Sequence, residues 1–139
     1  MDFPQLMDYL FYRGSVGELR LLNNNDYTRG ISYHSMLYLN VIAYERECTV
    51  SKLAELLHIT TSAAVIKVGE LVRQGLVEKV RSLDDGRVHY LRLTQKTREI
   101  YAQYTHVSVE THSYLRSKYT GAELDIFYKI LREVAEYEP

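Results

Sequence analysis

Between residues 49 and 93 the order of local signals leaves few folds open. Thr49-Val50 reads as a short extended piece. Ser51 then stands as an N-cap before Leu53, Ala54, Leu56 and Leu57, which make a short amphipathic helix. His58-Ile59-Thr60 is a tight connection. Thr60 caps a second helix over Thr61 to Gln74, with Ala64, Val68 and Leu71 on one face. Gly75 follows where a helix stop needs a left-handed residue. Leu76 to Arg81 is strand-like, Asp84-Asp85-Gly86 is a turn with the Asp-Gly hairpin signal, and Val88 to Leu93 returns as a second strand. A plain helical hairpin would account for 51–75 alone. Two short helices, a tight turn and an immediate β-hairpin together specify a winged helix-turn-helix.

The flanks are helical. Phe3, Leu6, Met7, Leu10 and Phe11 recur at helical spacing, with Pro4 suited to a first turn. Gly14 and Gly17 weaken the continuation through Leu19 to Leu22, and Asn23-Asn24-Asn25-Asp26 breaks it. Ser32 caps a helix expected to reach about Glu47. It is apolar almost all round and should be the central helix. Thr94 opens a long helix to about Lys118, and Thr120-Gly-Ala-Glu123 is a capping box before a last helix. The expected class is mainly α with a small β-hairpin wing (α+β). The expected organisation is an N-terminal helix region over 1–30, a winged DNA-binding lobe over 31–95 and C-terminal helices over 96–139, the two flanks being those to which the resemblance given below assigns dimerisation.

Charge supports this division. The 139 residues carry 17 Lys and Arg against 18 Asp and Glu, which alone argues against a nucleic-acid binder. Yet residues 50–98 hold nine bases against five acids, while both flanks are net acidic. Phosphate attraction depends on local charge. The composition excludes a disordered tail or low-complexity linker. One cysteine, Cys48, excludes an internal disulfide and multi-cysteine zinc motifs. The N-terminal stretch has no basic signal-peptide region, and Met36 to Tyr44 is too short for a membrane span. A cytoplasmic protein without membrane partners is the expectation.

A recognition helix lies in the major groove and its N-terminal residues reach base edges. Here Thr60, Thr61, Ser62, Ala63, Val65, Ile66 and Lys67 occupy that end. Hydroxyls can bond bases or phosphates, and small apolar groups can touch thymine methyls. No Arg stands there as a guanine reader. At the wing, Arg87 is placed to enter a minor groove, Asp85 to fix its fork, and Arg81 to meet phosphate.

At this point the segment TVSKLAELLHITTSAAVIKVGELVRQGLVEKVRSLDDGRVHYLRLTQKTREIY resembles the MarR family of bacterial and archaeal regulators without a gap. The anchors are Leu53-Ala54, Leu71, Gly75-Leu76-Val77, Asp85-x-Arg87 and Leu93-Thr94. The resemblance implies a homodimer built from the N-terminal and last two helices, with two winged lobes on double-stranded DNA carrying a pseudo-palindromic operator. It implies Asp85 and Arg87 at the wing tip, and repression relieved in many members by a small aromatic or lipophilic effector. The chain departs from the family at four positions. Gly86 replaces a wing Arg, Ile66 stands where Arg is frequent, Lys67 where an apolar residue is usual, and Thr97 where a glycine is usual.

Tyr12, Tyr33, Tyr38, Tyr101 and Tyr104, with Tyr9, lie on helices that would wall an effector crevice; dimer-core packing is the alternative. Some relatives sense oxidants or zinc. Cys48 ends the second helix rather than lying near the first, and reads as a small buried hydrophobe. His106 and Glu110 share a helix face but lack convincing partners in His34 or His112, so no metal or cofactor is assigned. No phosphate loop, Gly-x-Ser-x-Gly or His-Glu-x-x-His is present, which argues against an enzyme. A winged-helix protein-interaction module without DNA binding and a metal-responsive regulator are the competing readings.

Overall fold

Caps and left-handed residues decide where this chain reverses. In the computed structural model, which describes residues 1–24, 26, 28 and 30–139, six α-helices and one antiparallel two-stranded sheet are present among the described residues. Helix α1 (Phe3–Asn24) runs straight through Gly14 and Gly17. The expected weakening does not occur, because a helical glycine costs only about 0.5–1 kcal/mol and neither adopts positive φ. Of the expected break at Asn23 to Asp26, α1 ends at Asn24, and Asn25 lies outside the described residues. The Thr28 hydroxyl then donates to the Leu22 carbonyl at 2.8 Å, capping the helix end from beyond.

Helix α2 (Tyr33–Tyr44) starts at Ser32, whose Oγ accepts from the Ser35 amide at 3.0 Å. It stops three residues before the expected Glu47, with Glu45 extended and Glu47 left-handed. Tyr44, Glu45 and Arg46 are all exposed, so nothing apolar rewards further turns. Met36, Tyr38, Leu39 and Ile42 are buried while Leu37 is exposed. The helix is therefore central but buried on a broad face rather than all round.

Helix α3 (Val50–Leu56) is capped by Thr49, not Ser51: Thr49 Oγ1 accepts from the Lys52 amide at 3.1 Å. The extended piece lies one residue earlier than expected, because the Cys48 carbonyl takes the Leu91 amide at 2.7 Å. His58 takes the left-handed C′ position with φ 52°. The Ile59 amide reaches the Ala54 carbonyl and the His58 amide the Glu55 carbonyl, completing a Schellman stop. Helix α4 (Thr61–Arg73) is capped by Thr60 and stopped the same way by Gly75 at φ 72°.

Strands β1 (Val77–Arg81) and β2 (His89–Leu93) pair with Val77 opposite Leu93 and Arg81 opposite His89. The tip is a longer loop than the expected Asp84-Asp85-Gly86 turn, closed by the Ser82 amide donating to the Val88 carbonyl at 2.9 Å. Ser82 Oγ accepts from the Asp84 and Asp85 amides, and Asp85 Oδ1 from the Arg87 amide. These side-chain bonds offer the backbone a different course from a primed turn.

Helix α5 (Gln95–Arg116) is followed by α6 (Gly121–Glu136), whose Thr120–Glu123 capping box is complete. Two compact units result, Met1–Ile100 and Tyr101–Pro139. In the first, Leu53, Ala64, Val68, Leu71, Leu76, Val77 and Leu91 join the α2 core residues. Thr97, at the family's glycine position, is fully buried there and donates to the Leu76 carbonyl at 2.7 Å. No described helix is long and apolar enough to cross a membrane.

Candidate nucleic-acid interface

Burial of Ala64, Val68 and Leu71 turns the opposite face of α4 outward. Counting 3.6 residues per turn, Ser62, Ile66, Gly69 and Arg73 form the stripe farthest from the core. Thr61, Ser62, Ala63, Val65 and Ile66 are all exposed. Thr60 has its hydroxyl committed to the Ala63 amide at 3.1 Å. Lys67 is 19% exposed and its ammonium lies 3.3 Å from Glu70 Oε2, so its charge is already engaged along the helix.

On the wing, Asp85 grips Arg87 in a fork. Arg87 Nε donates to Oδ1 and a terminal nitrogen to Oδ2, each at 3.2 Å. The guanidinium hydrogen bonds, followed by the Arg87 amide, hold the Asp85 carboxyl below its ordinary pKa. The Arg87 side chain is 92% exposed. The pair is thus oriented without being buried. Exposed ion pairs add about 0–1 kcal/mol, so the pairing orders the tip more than it stabilises the fold.

Arg81 lies across the same tip, donating from Nε to the Gly86 carbonyl at 2.7 Å. A Cβ at Gly86 would lie 2.5 Å from an Arg81 terminal nitrogen. The guanidinium occupies the space a side chain at 86 would need.

Beside the wing a groove of about 600 Å³ is lined by Thr49, Ser51, Lys79, Arg87, Val88 and His89, among others. Lys79 and His89 were not expected there. The cue was strand alternation, which puts Lys79 and Arg81 on one face of β1.

The tyrosines are distributed between the two units. Tyr12 is exposed on α1, with Tyr9 at 6.2 Å between ring centroids. Tyr33 is half-buried, and Tyr38 is buried against His34. Tyr101 and Tyr104 lie on α5 with ring centroids 5.9 Å apart and planes tilted by 44°. Cys48 is buried, and that burial, with Glu45 nearby, pushes its thiol pKa up. His106 Nδ1 lies 3.8 Å from Glu110 Oε1, both exposed. Among the described residues no three His, Cys, Asp or Glu come together to hold a metal ion.

A helix-turn-helix followed by a hairpin with an ordered arginine at its tip defines a winged helix-turn-helix protein. Residues 29–88 match the MarR family model. The transcriptional regulator AdcR of Streptococcus pyogenes serotype M6 is 28% identical over 102 residues, 71% of this chain and 69% of that protein. Streptococcus pneumoniae FabT, in a crystal structure with DNA, is 25% identical with TM-score 0.70, covering 97% and 96% of the two chains. A MarR family protein from Bacillus stearothermophilus shares the fold at TM-score 0.72 and 21% identity, over 97% and 91%. Over residues 29–88 the chain is thus similar to the MarR family, and it resembles proteins that are transcriptional regulators.

Proposed function

We propose that the chain is a homodimeric repressor that binds a pseudo-palindromic operator. The exposed end of α4 (Thr60 to Lys67) enters the major groove, Arg87 held by Asp85 enters the adjacent minor groove, and Arg81 meets phosphate. The observation that carries this reading is the Asp85–Arg87 fork: an arginine ordered yet 92% exposed at the tip of a basic hairpin. The likeness to FabT, itself in complex with DNA, supports it. Such a repressor works in the cytoplasm, where its operator is.

Dimerisation falls to residues 1–30 and 96–139, with 31–95 as the DNA-binding lobe. Phe3, Leu6, Leu10 and Phe11 on α1, and Ile126, Phe127, Ile130 and Leu131 on α6, are exposed. Apolar faces of that kind call for a partner surface. Tyr12, Tyr33, Tyr101 and Tyr104 are the residues through which an aromatic effector would release DNA, whereas Tyr38, also expected there, is packed in the core against His34. Calorimetry with aromatic acids tests that role, and neither binding nor a change in DNA affinity would remove it.

Anisotropy on the chain's own promoter region, repeated across salt concentrations, tests the function itself. Affinity should fall steeply on a log–log plot, because each neutralised phosphate releases counterions. Arg87→Ala should weaken binding while leaving the melting temperature nearly unchanged. A slope near zero, or unaltered affinity in Arg87→Ala, would replace this reading with a protein-interaction module.

A further inference from the structure

The outward stripe of α4 is short of polar readers. Ile66 is 65% exposed, one turn into the helix and diametrically opposite buried Ala64, Val68 and Leu71. Val65 beside it is 52% exposed. Between Thr61 and Val68 there is no Arg, Asn or Gln, the side chains that make two-pronged contacts to guanine or adenine. Lys67, the one cation in that span, is turned to Glu70. Gly69 leaves the stripe bare beyond Ile66, and Arg73 lies back over it, with a terminal nitrogen 3.5 Å from where a Gly69 Cβ would be. An exposed branched side chain in this place needs an apolar counterpart. In a major groove the thymine C5 methyl is the apolar group on the base edges. The occupant is set by the neighbours: Arg81 and Arg87 are exposed on the wing, in the segment with nine bases against five acids. That charge suits a polyanion.

From this we infer that the half-site is read chiefly through thymine methyl groups packed against Ile66 and Val65, so the operator carries thymine where Ile66 meets the groove. The inference rests on the DNA-binding reading above. Ser62, on the same stripe, supplies a hydroxyl for a neighbouring base or phosphate.

The test uses the full chain and duplexes selected by it from a random library. Each thymine of a selected half-site is replaced in turn by deoxyuridine, which keeps its pairing and loses only the methyl. One such replacement should weaken binding roughly fourfold, the affinity equivalent of one buried methyl-sized group. Ile66→Ala removes three methyl or methylene groups and should bind the thymine duplex at least about fourfold more weakly, and no longer distinguish thymine from uracil at that position. Its melting temperature should match the parent's, because the side chain is exposed. The salt dependence should also be unchanged. Uracil duplexes bound as tightly as thymine ones at every position would overturn the inference and leave the regulator reading intact. A thymine preference undiminished in both Ile66→Ala and Val65→Ala would do the same. Failure to select any duplex with salt-dependent binding would overturn both, and point to a protein partner on α4.

Discussion

Arg81 and Gly86 show how one residue sets another's place. The Arg81 guanidinium lies against the Gly86 backbone and donates to its carbonyl at 2.7 Å. Gly86→Ala would drive a methyl into that guanidinium, which must swing away and lose the bond. An exposed hydrogen bond of this kind is worth about 0.5–1.5 kcal/mol, so the stability loss in urea unfolding should stay within that range. The same substitution in an Arg81→Ala background should cost almost nothing, as a double-mutant cycle would show. An equal cost in both backgrounds would mean that Gly86 serves the backbone alone. Thr97 offers a second case. Where the family usually has glycine, its buried hydroxyl satisfies the Leu76 carbonyl at 2.7 Å. The departure is legible in sequence; its partner, 21 residues away, is not.

Both helices of the reading motif end in left-handed residues, with opposite chemical fitness. Gly75 adopts φ 72° as a residue without a Cβ, whereas His58 adopts φ 52° carrying a full side chain. The left-handed conformation costs a side-chain-bearing residue roughly 1–2 kcal/mol. Gly75→Ala should therefore destabilise by about 1 kcal/mol. His58→Gly should stabilise by about half that, since glycine loses more chain entropy on folding. Paired thermal melts check both signs, and a destabilised His58→Gly would show that its imidazole packs usefully. The element order from 49 to 93 was legible because caps, Gly75 and the apolar spacing act within a few residues. The capping residue of α3 was not: Thr49 and Ser51 are equivalent cap chemistry, and the bond from Leu91 to the Cys48 carbonyl decides between them. The hairpin was legible too, but the length of its tip was not. The Asp-Gly pair signals a tight turn, but Ser82 and Asp85 engage the backbone instead.

At the scale of the molecule, each compact unit carries an uncovered apolar face, on α1 in one and α6 in the other. The proposed dimer covers them. Ile130→Glu, on an exposed α6 position, should leave helical content unchanged while halving the mass seen by light scattering. DNA affinity should drop with it, because one lobe then binds alone. A parent chain that scatters as a monomer at micromolar concentration would end the dimer reading.

The sequence by itself determined the helical segments, the winged motif, the basic centre within a near-neutral chain and the outward position of Ile66. Each follows from local periodicity or capping, where the interacting groups are neighbours along the chain. Tertiary structure decided which hydroxyl caps α3, that Arg81 folds over Gly86, and that Tyr38 belongs to the core. Those outcomes depend on which groups compete for one carbonyl or one pocket of space, and folding alone brings the competitors together.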